Sequence, residues 1–310
     1  MSSVLVVRGA ADAGAIRRAL PGVLVRESTD LGSPLPADST VVVLRSGLRL
    51  GRCELDALPR LRHVVRTGSG IDHIDVNALR GRGIRLHRNA EAGADAVGEW
   101  VLAAALSLSR RIPLGQHALQ LGRHEKQACA GVPLGTLTAG IWGAGPVGLA
   151  AGRALAPHVA GTAYAAWPSN PPGLRELSPT ALAEQSHVHV VALPLRPTTR
   201  RVVGEEFLAR VAPQRPLLIC AGRLETLDVT ACLRALANGR LSGLALDPVE
   251  QAHLPLLAAA TSTAESLNLL VSPHIGAQRS DVRSALDRWA VDLLREITAD
   301  DVGVRDGGRW

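Results

Sequence analysis

Aromatic residues are scarce in this sequence, with one Tyr, one Phe and five Trp among 310 residues. The core must therefore be assembled from Leu, Val, Ile and Ala. Lysine is nearly absent as well. Lys126 is the only one, so arginine carries almost all of the positive side of a formal net charge of +6. The arginines are dispersed among acids, with no basic run interleaved with aromatics, and this speaks against nucleic-acid binding. A positive field of this kind suits small anionic metabolites. The four cysteines, Cys53, Cys129, Cys220 and Cys232, form no C-x-x-C pair and have no metal-type spacing to histidine. No metal site is expected, and the thiols should be free in a reducing compartment. No apolar run approaches the roughly 20 residues that span a bilayer. The opening MSSVLVVRGA lacks a basic segment followed by a long apolar stretch and reads as a first strand. A cytoplasmic protein with neither membrane nor nucleic-acid partner is expected.

What is present is an alternation. Short β-branched runs alternate with Ala/Leu-rich segments of helical period, the pattern of a parallel sheet covered by helices. A first series places strands at Val4–Val7, Val23–Arg26, Val41–Leu44, Val64–Thr67 and Arg85–His87. A long helix follows at Ala94–Arg110. A second series has strands at Ala139–Trp142, Gly161–Ala165, Val188–Ala192, Pro216–Cys220, Gly243–Ala245 and Leu269–Val271. The length and the two series predict two doubly wound α/β domains, residues 94–277 forming one. Residues 1–93 form the other, to which a last helix (residues 278–310) returns.

The strongest local signal is Gly140-Ile-Trp-Gly143-Ala-Gly145-Pro146-Val147-Gly148, placed between an apolar strand and a helix. Gly143 permits a tight turn, Gly145 lets the backbone approach a pyrophosphate, and Gly148 lets helix and strand pack closely. The helix N-terminus then favours the phosphates. About twenty residues on, an acid would hold the adenine ribose hydroxyls of NAD. Trp167 stands there, with Ser169 nearby and neither an adjacent acid nor an arginine immediately after. Both NAD and NADP remain open, and loss of the acid favours NADP mildly.

Further motifs follow in consistent order. Arg66-Thr-Gly68-Ser69-Gly70-Ile-Asp72-His-Ile-Asp75 precedes Val97-Gly-Glu99-Trp100; Leu193-Pro194-Leu195 with Thr199 precedes Cys220-Ala221-Gly222-Arg223; Asp247 precedes Ser272-Pro273-His274-Ile-Gly276. From about Leu61 to Ala277 the chain resembles the D-2-hydroxyacid dehydrogenase family. The resemblance implies Rossmann and flavodoxin-like domains with a cleft between them, and commonly a homodimer. It assigns substrate binding to the main-chain amides at Ser69 and Gly70, with Trp100 facing the cleft. Arg223 becomes the catalytic arginine and His274 the general acid/base, while Asp247 holds the nicotinamide carboxamide. Leu193, Pro194, Thr199, Ala221, His274 and Gly276 border the cofactor. The chemistry is coherent: a guanidinium can fork onto a 2-oxo acid, and an imidazole can give a proton to the carbonyl.

The chain departs from the family pattern at three places. Cys220 stands where asparagine is common, and Leu224 where glycine is. An ungapped reading of Asp247-Pro-Val-Glu250-Gln-Ala252-His253 puts Ala252 where the family has a glutamate that hydrogen-bonds the histidine; Glu250 could replace it only through a rearranged loop. Two functions follow. One is an oxidoreductase acting on a small anionic 2-oxo or 2-hydroxy acid, and the other a non-catalytic NAD(H)-binding regulatory protein.

Overall fold

The structure, a computed structural model, describes residues 2–32, 34–165, 173–262 and 266–306. The chain folds into two compact units, Met1–Ala92 with Arg279–Trp310 and Gly93–Gln278. The first is built from β1 (Ser3–Val7), α1 (Ala13–Ala19), β2 (Leu24–Ser28), β3 (Val41–Leu44), α2 (Arg52–Asp56), β4 (His63–Arg66), α3 (Val76–Gly81) and β5 (Arg85–Arg88). Its five strands are parallel in the order β2-β1-β3-β4-β5, the flavodoxin-like order. Every residue of β1, β3 and β4 is buried, because helices cover a parallel sheet on both faces. Val4, Val6, Val41, Val43 and Val65 form one apolar layer; Leu5, Val7, Val42, Leu44 and Val64 form the other.

The second unit contains α4 (Ala94–Ser109), α5 (Ile112–Gln120), β6 (Thr138–Trp142), α6 (Pro146–Leu155), β7 (Gly161–Ala165), α7 (Pro179–Gln185) and β8 (Val188–Val191). It continues with α8 (Glu205–Val211), β9 (Leu217–Cys220), α9 (Val229–Ala237), β10 (Gly243–Leu246), α10 (Leu254–Thr261) and β11 (Leu269–Val271). The parallel order is β11-β10-β9-β8-β6-β7. Beyond β7, Tyr164 pairs with Glu176 in an isolated parallel bridge. The Tyr164 N–H donates to the Arg175 carbonyl at 2.9 Å, and the Leu177 N–H to the Tyr164 carbonyl at 3.0 Å. Counting this bridge as a vestigial strand gives the dinucleotide-binding order 3-2-1-4-5-6, extended by β11. The order reverses between β6 and β8. The final helix, α11 (Ser280–Asp306), lays Ala290, Leu294 and Ile297 on the valine layer of the first unit.

The strand series agrees with the sequence expectation to within a residue or two at each end. Helices α5 and α10 were not expected. In α5, Pro113 and Gly115 mask a helical pattern, yet Pro113 stands in the first turn, where a missing N–H costs nothing.

A buried histidine paired with a half-buried tryptophan supports the second unit's core just before the glycine loop. The indole N–H of Trp142, the last residue of β6, donates to His189 Nδ1 at 3.1 Å. Burial pushes the His189 pKa down to about 3, helped by the nearby His187. The native imidazole thus stays neutral while the unfolded one protonates from about pH 6.5 downward. The unfolded state then binds more protons, and stability is lost as pH falls from there toward 3. His189→Asn keeps an acceptor for the indole and does not titrate. Its melting temperature should fall less steeply than that of the wild type between pH 7 and 4; parallel profiles would contradict this role.

Candidate active site

The second unit's site begins at the carboxyl end of β6. Gly143 adopts φ +100, and a Cβ added at Gly148 would lie 1.9 Å from the Gly143 carbonyl oxygen. The protein's own backbone therefore demands these two glycines. Gly145 is different: a Cβ there would meet no protein atom within 4 Å. Gly145 caps α6, with the exposed Pro146 in its first turn and Val147 and Gly148 following. The first-turn N–H groups of a helix lack intrahelical acceptors and carry partial positive charge. A bare cradle at a helix N-terminus is what a dinucleotide pyrophosphate requires, so the residues present fit that cofactor.

Across the reversal in strand order, β8 leads into Leu193. It is buried, and its side chain lies within 3.3 Å of where a Gly143 Cβ would stand. Pro194 is exposed. Thr199 closes this loop on itself: its hydroxyl donates to the Pro194 carbonyl at 2.6 Å and accepts the Arg196 N–H at 2.8 Å. Trp167 and Ser169 lie outside the described residues.

At the end of β9, Ala221 is buried in the core beneath the loop. Arg223 follows in extended conformation, with one guanidinium N–H on the Gly222 carbonyl at 3.2 Å. Two side chains hold its main chain. The Thr226 hydroxyl donates to the Arg223 carbonyl at 2.6 Å, and the Cys220 thiol reaches the same oxygen at 3.7 Å. Burial pushes the Cys220 pKa up to about 12, so the sulfur remains a protonated donor. Leu224 is buried in the unit's core, which accounts for a large side chain where the family has glycine.

Asp247 at the end of β10 is 4% exposed. Its Oδ1 accepts the Ser272 hydroxyl at 2.6 Å and the Ile275 N–H at 2.9 Å; its Oδ2 accepts the Gly276 N–H at 3.0 Å. A Cβ at Gly276 would approach Oδ2 to 2.9 Å, so only glycine fits this contact. The turn so bound carries His274 at φ +59, a conformation that costs a non-glycine residue about 1–3 kcal/mol. The carboxylate beside His274 is that of Glu250, with Oε1 3.7 Å from Nδ1. This is an ion-pair distance rather than a hydrogen bond. Ala252 lies exposed on the 3-10 turn Gln251–His253 that follows Glu250.

In the first unit, Ser69 and Gly70 follow β4. Arg66, 6% exposed, donates through its guanidinium to the Thr67 carbonyl and, at 3.0 Å, to the Gly70 carbonyl. Arg88 donates to the Ser69 carbonyl at 3.0 Å. With the carbonyls held by cations, the N–H groups of Ser69 and Gly70 have no protein acceptor among the described residues. Such a pair of amides can take an anion. Trp100 on α4 is half-buried against the second unit's core. Sequence reading missed the bracing arginines and His253; an arginine closing the strand before a glycine-rich loop was the available signal for Arg66.

A parallel sheet reversing between β6 and β8, with a glycine loop on one side of the reversal, defines a Rossmann-type dinucleotide-binding unit. Residues 102–276, more than half of the chain, match the family described as D-isomer specific 2-hydroxyacid dehydrogenase, NAD binding domain, and the chain belongs to that family. It is 26% identical over 265 residues to a hydroxypyruvate reductase of Thermotoga maritima, covering 83% of each. It is also 26% identical over 278 residues to a D-3-phosphoglycerate dehydrogenase of Methanocaldococcus jannaschii, covering 84% of this chain and 50% of that relative. The chain thus spans about half the length of the second of these. In fold it superposes on a D-lactate dehydrogenase from Aquifex aeolicus complexed with NAD and lactic acid, with TM-score 0.82, 21% identity, and coverage of 99% and 98% of the two chains. Among the described residues no helix is long and apolar enough to cross a membrane, and no cluster of His, Cys, Asp and Glu could hold a metal ion.

The glycines separate by experiment. Gly145→Val should fold with near-wild-type stability but lose the rise in melting temperature that NADH or NADPH gives the wild type. Gly148→Ala should destabilise the fold without any ligand. A Gly145→Val protein that still binds either dinucleotide normally would contradict the loop assignment.

Proposed function

We propose that this protein transfers hydride between NAD(H) or NADP(H) and a small anionic 2-oxo or 2-hydroxy acid. The observation that carries the reading is the turn at His274, which Asp247 holds in a strained conformation with Glu250 at its Nδ1. Strain persists where the surrounding structure over-determines it, and it concentrates at functional sites. Arg223, Asp247 and His274 follow three neighbouring strands, β9, β10 and β11, at their carboxyl ends. Ligands of open α/β sheets bind at that edge.

Arg223 binds the 2-oxo acid through a planar fork, its main chain fixed by Thr226 and Cys220. With Nδ1 facing Glu250, His274 gives a proton from Nε2 to the carbonyl oxygen in reduction and takes it back in oxidation. Bound nicotinamide supplies or accepts the hydride. Oδ2 of Asp247 accepts one protein N–H and has capacity for a carboxamide N–H. The glycine loop, Leu193, Pro194, Thr199, Ala221 and Gly276 border the cofactor. The amides of Ser69 and Gly70 give the first unit a pair of anion donors, and Trp100 is half-buried on α4 of the second. The names of the relatives support a 2-oxo acid substrate. The carboxylate at His274 removes the main ground for a non-catalytic regulator.

The active species is a homodimer. Leu106, Ile112, Leu119, Leu121 and Val132 leave apolar surface exposed around α4 and α5 of the second unit. The four free thiols suit the reducing cytoplasm.

Arg223→Lys should keep the charge and lose the fork. A charge-assisted hydrogen bond of about 1.5–3 kcal/mol corresponds to roughly 10- to 150-fold in kcat/KM. This loss should appear with glyoxylate or hydroxypyruvate, while NADH affinity stays unchanged. His274→Ala should cost about 100- to 10,000-fold. Near-normal turnover in either variant would remove that residue from the site.

A further inference from the structure

We propose that His253 is a positioning residue for the acid/base pair, holding the main chain of Glu250 so that its carboxylate meets His274. This rests on the reading of His274 given above and deepens it.

Glu250 precedes the 3-10 turn Gln251–His253, at φ −112 and ψ 167. Its N–H donates to Nδ1 of His253 at 3.0 Å, and the His253 N–H returns to the Glu250 carbonyl at 2.9 Å. The second bond is an ordinary turn bond that any residue at 253 would make. The first needs an acceptor on the side chain three residues on, the position from which Glu or Gln usually reaches back in a capping box. A histidine can do this only through an unprotonated Nδ1, which fixes its tautomer with the proton on Nε2. The imidazole is planar and has two side-chain torsions, so it holds the Glu250 N–H more rigidly than a longer chain would.

The consequence is local. Two residues N-terminal of the position where the family carries its carboxylate, Glu250 is brought to His274 by the direction of its main chain, with Oε1 3.7 Å from Nδ1. Both side chains are partly exposed, at 42% and 34%, so the carboxylate itself is not locked by packing. Without the bond at its N–H, the main chain at Glu250 would be free to turn, carrying the carboxylate away from Nδ1, and the pair would be screened by solvent. Among the described residues Asp247 from β10 also meets the turn, and its oxygens bond Ser272 and the N–H groups of Ile275 and Gly276. From the loop that follows come Glu250 and His253. The main chain before Glu250 is tied by the Val249 N–H on the Ser272 carbonyl at 3.1 Å, and the bond to Nδ1 of His253 is the side-chain contact that holds Glu250 itself.

The test reads His274 directly in the free protein, before any substrate is added. Histidine-selective NMR titration follows the ten imidazoles, and a His274→Gln variant assigns the one in question. A neighbouring carboxylate favours the imidazolium, so Glu250→Gln should lower the His274 titration midpoint by roughly 0.5–1 unit. His253→Leu, which removes the acceptor, should lower it by a similar amount. His253→Gln restores an acceptor at that position and should keep the midpoint near wild type. The double variant Glu250→Gln/His253→Leu should match Glu250→Gln alone, because the two act through one interaction. Melting temperatures of all variants should stay close to wild type. The proposal is overturned if His253→Leu leaves the midpoint in place while Glu250→Gln moves it, if the two effects add, or if neither moves it. Turnover of glyoxylate by His274→Ala tests the underlying function separately. Its retention would refute the acid/base assignment whatever the titration shows.

Discussion

A buried carboxylate must be matched by donors, since an ionised group removed from water without them costs several kcal/mol. Asp247, 4% exposed, meets that demand with a hydroxyl and two main-chain N–H groups, all from the short segment Ser272–Gly276 after the neighbouring strand. The same three bonds fix the path of that segment and hold His274 in the left-handed region. Gly276 is required because any side chain would crowd Oδ2, and Ser272 because it supplies the only side-chain donor to the carboxylate among the described residues. Placement of the imidazole, its pairing with Glu250 and the arrangement that His253 maintains all start from this contact.

The parallel sheet explains why these groups can meet at all. Every crossover returns the chain to the same edge, so the segments after β6, β8, β9, β10 and β11 emerge side by side about 4.8 Å apart. Each is braced locally: Gly148 against the Gly143 carbonyl, Thr199 across its own loop, Cys220 and Thr226 on the Arg223 carbonyl. The first unit repeats the device with arginines, Arg66 and Arg88 taking the carbonyls of the loop at Ser69 and Gly70.

Much of this was legible in the sequence because it depends on short-range periodicity. Buried parallel strands read as runs such as Val41–Leu44, and the glycine loop between strand and helix needed no long-range information. The strand at Glu176 was illegible, since a single bridged residue leaves no pattern. Helix α5 was hidden by Pro113 and Gly115. Spacing alone put Ala252 opposite His274, because counting residues assumes a constant path. The 3-10 turn at Gln251–His253 changes that path and brings Glu250 there instead. The replacements at Cys220 and Leu224 were departures from the family pattern in the sequence. In the structure the first is a buried thiol donating to the Arg223 carbonyl, and the second fills the core.

Transfer of hydride itself is the central claim, and isotopic labelling reads it most directly. The protein would be incubated with NADH or NADPH deuterated at one or the other face of nicotinamide C4, together with a panel of 2-oxo acids. The hydroxy-acid products would be examined by mass spectrometry. The account predicts one deuterium at C2 of the product from one face of the cofactor and none from the other. Tight dinucleotide binding with no labelled hydroxy acid from any 2-oxo acid would contradict it.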